Sequence, residues 1–185
     1  MISLIFNKDI FKILTIFSVS PGSRFKRNEL KEKTKLNNVP LDNALAKLLK
    51  TSILKKEKTL ISINFENQIA KSLLEIISWQ YKSLKEVPLN VYFLLIDLID
   101  SIALIKAEVY LFGSYSKLIY NENSDVDIAL IITSIDKSII SKIVNKIEKK
   151  YNKKIALHIF DKQKFYKNKK DPLIKDIIKN GVKLI

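Results

Sequence analysis

The chain has no cysteine among its 185 residues, which excludes disulfides, thiolate catalysis and cysteine-based zinc sites, and fits a reducing cytoplasm. Arginine is almost as scarce. Only Arg24 and Arg27 contribute to the 33 basic residues, so the formal charge of +14 is nearly all lysine. Lysine spread over a chain is a weaker sign of a phosphate site than a placed guanidinium, although the charge still favours polyanionic partners. The opening Met1 to Phe6 lacks a basic start and a full apolar core, so no signal peptide is expected. A long unbroken apolar run is absent too. Pro88 to Ile105 approaches membrane length but is interrupted by Asn90, Asp97 and Asp100, which predicts a buried helix and no membrane partner. With 47% hydrophobic and 28% charged residues, the composition is that of a folded protein of one ordinary domain or two small ones.

The basic charge is unevenly placed. Residues 1–66 carry +7, residues 67–106 are neutral and residues 107–185 carry +7. Two basic lobes therefore flank a neutral middle. In the first lobe, Asn7 to Phe17 has apolar residues at helical spacing and stops at Ser20-Pro21-Gly22. A second short helix surrounds Leu30, and a third starts at Pro40 with Leu41, Ala44, Leu45, Leu48 and Leu49 as its apolar stripe. Two β segments, 53–56 and 59–63, complete the lobe. Helix, helix, turn, helix, hairpin resembles a winged helix-turn-helix domain. That resemblance places the third helix in a DNA major groove, with Asn37, Asn38, Asn43 and Lys47 near bases and Lys55, Lys56 and Lys58 of the hairpin near phosphates. Protein interaction and a merely solvated lysine surface remain open for the same residues.

The middle and the second lobe follow a different pattern. Residues 66–82 read as an amphipathic helix connecting the lobes, and 89–105 as a second helix. Val109 to Phe112 reads as a buried strand ending in Gly113-Ser114, where backbone amides can approach an anionic phosphate closely. Ser124 opens the next expected strand, and Asp125 and Asp127 lie two residues apart in it, so both carboxylates leave one face. Two such carboxylates suit hard divalent cations, which share oxygen ligands with substrate phosphates and clamp in-line displacement at phosphorus. A helix from Ile135 to Lys150, a strand from Ile155 to Phe160 and a basic run from Lys162 to Lys170 follow, the last read by default as a solvated basic edge, or near the mouth of the site if the third strand runs as expected.

The segment from Gly113 to Asp127 resembles the signature of the minimal nucleotidyltransferases of the DNA polymerase beta superfamily, Gly-Ser-x-Ala-x-Gly, five residues, then Ser-Asp-x-Asp. Gly113, Ser114, Ser124, Asp125 and Asp127 match in register, Ser116 stands for the small residue and Lys117 for the usual basic one. Leu118 replaces the second glycine. The family's third acid falls at Ala156 or His158, and the nearby Asp161 has the wrong parity. The resemblance implies an α+β chain: a winged helix over 1–66, a connecting helix over 67–87 and a small nucleotidyltransferase domain with a mixed sheet over 88–185. It implies that Gly113, Ser114, Lys117 and Ser124 hold the triphosphate and that Asp125 and Asp127 are catalytic and carry two Mg2+ ions. The implied activity is transfer of a nucleoside monophosphate, AMP from ATP, to a hydroxyl on a protein, a nucleic acid end or a small molecule. A HEPN-type toxin is one implied protein acceptor, which would make the chain its antitoxin, and a homodimer is among the expected assemblies. The alternatives are a DNA-binding regulator whose transferase domain only binds nucleotide or a partner, and a structural adaptor.

Overall fold

A computed structural model of the chain describes residues 6–84, 87–133 and 137–185. They form two compact units divided between Ser83 and Leu84. Each contains one sheet.

The first unit opens with α1 (Lys8–Val19). Its first free amides, those of Asp9 and Ile10, donate to the side-chain oxygen of Asn7, which is why the helix starts there. Phe11, Ile13, Leu14, Ile16 and Phe17 are buried, and Ser20-Pro21-Gly22 ends the helix as its turn chemistry predicts. A short β1 (Phe25–Lys26), unanticipated in the sequence, leads into α2 (Arg27–Thr34). Next, α3 (Asn38–Lys50) begins two residues before Pro40, within a first turn where a missing N–H costs nothing. β2 (Leu54–Glu57) and β3 (Leu60–Ile63) form an antiparallel hairpin whose turn places Lys58 at φ +55°, and β1 pairs with the other edge of β3. α4 (Gln68–Ser83) follows. This is the helix expected to connect the lobes, and it packs against α1 inside the first unit through Ala70, Leu74 and Ile77. Trp79 near its end is 65% exposed, so that ring is not core.

In the second unit, α5 (Leu89–Ile102) is the expected buried helix, with Val91 through Ile99 all inaccessible. Its charge is matched: the Asp97 carboxylate accepts from Lys150 Nζ and from Tyr151 Oη, both at 2.7 Å. Among the described residues no helix is long and apolar enough to cross a membrane. After α5 come β4 (Ala107–Leu111), α6 (Gly113–Lys117), β5 (Val126–Ile132), α7 (Lys137–Tyr151) and β6 (Ile155–Asp161). α8 (Lys162–Lys167), α9 (Pro172–Asn180) and β7 (Val182–Lys183) complete the unit. Residues 135 and 136, the expected start of α7, lie outside the described residues.

The four strands are ordered β6-β5-β4-β7, with β5 and β6 parallel and the remaining pairs antiparallel, so the sheet is mixed as expected. Register aligns Glu108, Tyr110, Ala129, Ile131, His158 and Phe160 on one face, with Asp127 and Ala156 at its end. Phe112, Phe165, Ile174 and Ile177 cover that face together with Ala129 and Ile131. Each large apolar side chain sealed there contributes about 1.5 to 3 kcal/mol. Because both faces of β5 are buried, its run Ile128 to Ile132 is continuously apolar and shows no alternation.

Candidate active site

The candidate site lies where β4 ends and β5 begins. The ladder extends one residue past β4 through a 3.0 Å hydrogen bond from the Phe112 amide to the Asp127 carbonyl, which brings the Gly-Ser segment beside the carboxylate. Gly113 then turns the chain at φ +67°. A Cβ at Gly113 would fall 1.9 Å from Asp127 Oδ2, so both the backbone angle and the close carboxylate demand glycine. The Ser114 amide donates to Asp127.

Asp127 is half-buried, and Asp125, one residue before β5, is exposed. Ser124 does not open the strand. Its Oγ accepts the Asn121 amide at 2.9 Å and its own amide donates to the Asn121 carbonyl, so it closes a turn that delivers Asp125 to the strand end. Burial raises the Asp127 pKa, and the negative charge of Asp125 adds to the rise; the Ser114 amide and His158 work in the opposite direction. The charged form of Asp127 is thus only partly compensated by its own surroundings. A hard cation would supply the balance, and two carboxylates are suitable donors for it. Among the described residues no cluster of three or more His, Cys, Asp or Glu side chains could hold a metal, so the remaining ligands would be phosphate oxygens and water.

The place for a third acid is occupied by other chemistry. Ala156 is the register partner of Asp127, and His158 is the partner of Ala129, two residues further along the same face. The His158 ring lies edge-on to Phe112 with centroids 5.4 Å apart. Asp161 is exposed and caps α8 by accepting the Lys164 amide at 2.9 Å, which removes it from the site as its parity implies. The basic run after it is also elsewhere. Phe165 is fully buried, while Lys162 and Tyr166 bind Glu108 at the opposite end of the sheet, so these residues of the run do not line the mouth of the site.

Lys117, expected to face phosphate, forms an ion pair with Asp176 of α9 at 2.8 Å. Lys117 and Asn180 together hold the Asp176 carboxyl below its usual range. The ion pair links α6 to α9. Leu118 ends α6 in the left-handed region at φ +59° and is 52% exposed, which explains on steric grounds why glycine suits that position. Sequence reasoning missed one further feature, a stacked pair formed by Tyr115 and Tyr120 at 4.5 Å between centroids and 14° between planes. No periodicity marks it, since one ring belongs to a helix and the other to a loop.

In the first unit, Asn37, Asn38, Asn43, Lys47, Lys55, Lys56 and Lys58 are all exposed. Asn38 Oδ1 accepts from Arg27, and Arg27 also grips Asp42 through two bonds of 2.6 and 2.8 Å. This acid on α3, unremarked in the sequence, stands beside the residues expected to meet bases, and with Arg27 and Lys56 it lines a cavity of about 550 Å³.

Residues 99–185 match the family model described as Polymerase beta, Nucleotidyltransferase. The match supports the polymerase beta superfamily for this region and a nucleotidyltransferase-type activity. It spans β4, α6 and β5, and therefore the Gly113-Ser114 segment and both aspartates. No curated protein and no solved structure matches the chain.

Proposed function

We propose that the chain is a metal-dependent nucleotidyltransferase that transfers a nucleoside monophosphate, AMP, from an NTP to a hydroxyl acceptor. The observation that carries this reading is the seating of Gly113 against the Asp127 carboxylate at a strand end where Asp125 also arrives, inside the region matched by the family. Asp125 and Asp127 would hold Mg2+, which when bound polarises the phosphoryl oxygens and neutralises charge on the leaving pyrophosphate. The Ser114 amide, now on Asp127, is the group that would turn to a phosphate oxygen once a cation engages the carboxylate. Ser124 keeps Asp125 in position through the Asn121 turn. The Lys117 pair with Asp176 is partly exposed, so exchanging it for a phosphate contact would cost little.

The acceptor we favour is a protein hydroxyl, with a HEPN-type toxin as the partner and the chain as its antitoxin, in the cytoplasm. The first unit is read as a winged helix that adds a DNA contact through α3 and the hairpin, with a homodimer as the assembly suited to DNA. Incubation with labelled ATP, Mg2+ and candidate acceptors tests the reading. Transfer that disappears in Asp125→Asn with Asp127→Asn supports it, and an unlabelled acceptor with the intact chain refutes it.

A second reading has one observation in its favour. Ala156 stands opposite Asp127 where a third acid would activate the attacking hydroxyl. On this reading the transferase region binds nucleotide or a partner without turnover, and the chain is a DNA-binding regulator. Nucleotide affinity without transfer, together with DNA binding that weakens steeply with salt, is its signature.

A further inference from the structure

Beside the Gly-Ser segment is a cavity of about 510 Å³ within the second unit, and neither aspartate lines it. Its walls come from the start of α5, from the segment that follows Ser114 and from the turn between α7 and β6. Tyr115 and Tyr120 form one side as the stacked pair. Tyr115 is 2% exposed and its ring is braced by Lys153 Nζ at 5.6 Å, while Tyr120 is half-buried. Lys153 is fixed in turn by a 2.7 Å bond to the Glu122 carbonyl. Three exposed asparagines, Asn90, Asn121 and Asn152, line the same cavity from three different segments.

This chemistry is specific. A rigid aromatic ring backed by a second ring and a cation suits a planar π-system, and stacking needs no particular substituent on it. A carboxamide carries both donors and acceptors; Asn90 Nδ2 donates to the Tyr151 carbonyl at 3.4 Å and Asn121 Oδ1 accepts the Asn123 amide at 2.9 Å, and the remaining groups of the three suit the mixed edge of a nucleobase, where a purely apolar or purely cationic cavity could not. The volume is within the range of small-ligand sites and accommodates a nucleoside. The cavity and the Gly-Ser segment are adjacent in the chain: Tyr115 follows Ser114 directly, and Tyr120, Asn121 and Glu122 lie between the Gly-Ser segment and Asp125.

We infer that this cavity receives the base and ribose of the nucleotide whose phosphates meet Gly113 and Ser114, with Tyr120 as the stacking surface. The inference rests on the nucleotide reading proposed above and assigns it a second, separable half. Equilibrium binding of three probes to the full chain with Mg2+ separates the halves: ATP, adenosine and inorganic tripolyphosphate. The intact protein should bind all three. Tyr120→Ala should weaken ATP and adenosine by about tenfold and leave tripolyphosphate unchanged. Asn90→Ala, a change on an exposed helical position, should weaken the same two probes by a smaller factor. If both variants bind ATP and adenosine as the intact protein does, the cavity is not the base site. If the intact protein binds tripolyphosphate but not adenosine, the base site is refuted and the phosphate site stands. If adenosine binds in a Tyr120-dependent manner while tripolyphosphate does not bind, the cavity takes a nucleoside that is not part of a nucleotide seated at Gly113 and Ser114, and the inference is overturned.

Discussion

One face of one sheet carries two carboxylates in opposite circumstances. At the far end, Glu108 receives Lys183 Nζ at 2.8 Å, Tyr166 Oη at 2.8 Å and Lys162 Nζ at 3.0 Å, and these donors hold its pKa at about 2. At the other end, Asp127 has one backbone amide and a like-charged neighbour, and burial pushes its pKa upward. The contrast separates an acid held by three donors from one whose surroundings compensate its charge only in part. Glu108 is an ion whose charge is spent joining β4, α8 and β7. Asp127 has no such set of donors: the Ser114 amide and His158 favour its charged form while burial and Asp125 oppose it.

Removing the charge at each end should therefore have opposite signatures. Asp125→Asn with Asp127→Asn should abolish transfer by about a thousandfold or more in the labelled-ATP assay, with a melting temperature that does not fall, because a like-charge pair is relieved. A marked loss of stability in that variant would make Asp127 as structural as Glu108. Gly113→Ala comes next. Its methyl would meet Asp127 Oδ2, and its φ of +67° is strained for alanine, so chemical denaturation should show a loss of about 3 kcal/mol. Glu108→Gln should cost about 1 to 2 kcal/mol at neutral pH without changing nucleotide affinity. The sign of its pH dependence follows from a folded pKa near 2 against an ordinary 4.5: the stabilisation is complete above about 4.5 and lost as pH falls toward 2. A melting curve insensitive to pH over that interval would contradict it. The smallest effect should come from Leu118→Gly, which relieves an exposed side chain at φ +59° and should stabilise by about 0.5 kcal/mol in denaturant titration.

These contrasts also show what the sequence could and could not reveal. The buried strands, the long apolar α5 and the helix order of the first unit were legible, because apolar spacing and stop residues report on burial directly. Gly113 and Asp127 were legible as members of one spacing, but their mutual contact was not, since it depends on the ladder carrying Phe112 to Asp127. The partners of Lys117 and Glu108 were out of reach for the same reason. Asp176 lies 59 residues from Lys117, and Tyr166 and Lys183 lie 58 and 75 residues from Glu108, and nothing local distinguishes a lysine destined for an ion pair from one left in water. Ser124 was misplaced by two residues because a turn-closing hydroxyl and a strand-opening one look alike in sequence. Asp42 was overlooked on α3 since its pairing with Arg27 depends on how α2 is set against α3.

The β7 strand has a kinetic corollary. β4 finds β5 across a short connection, but its other edge waits for Val182 and Lys183, and the Val109 amide and carbonyl wait for Ile185 and Leu184. Closing so long a loop costs more chain entropy than closing the β4–β5 hairpin, so the hairpin should form early and this edge last. Pulse-labelled amide exchange should find Val109 protected after Phe112 during refolding, the side facing the candidate site being built before the opposite edge is sealed.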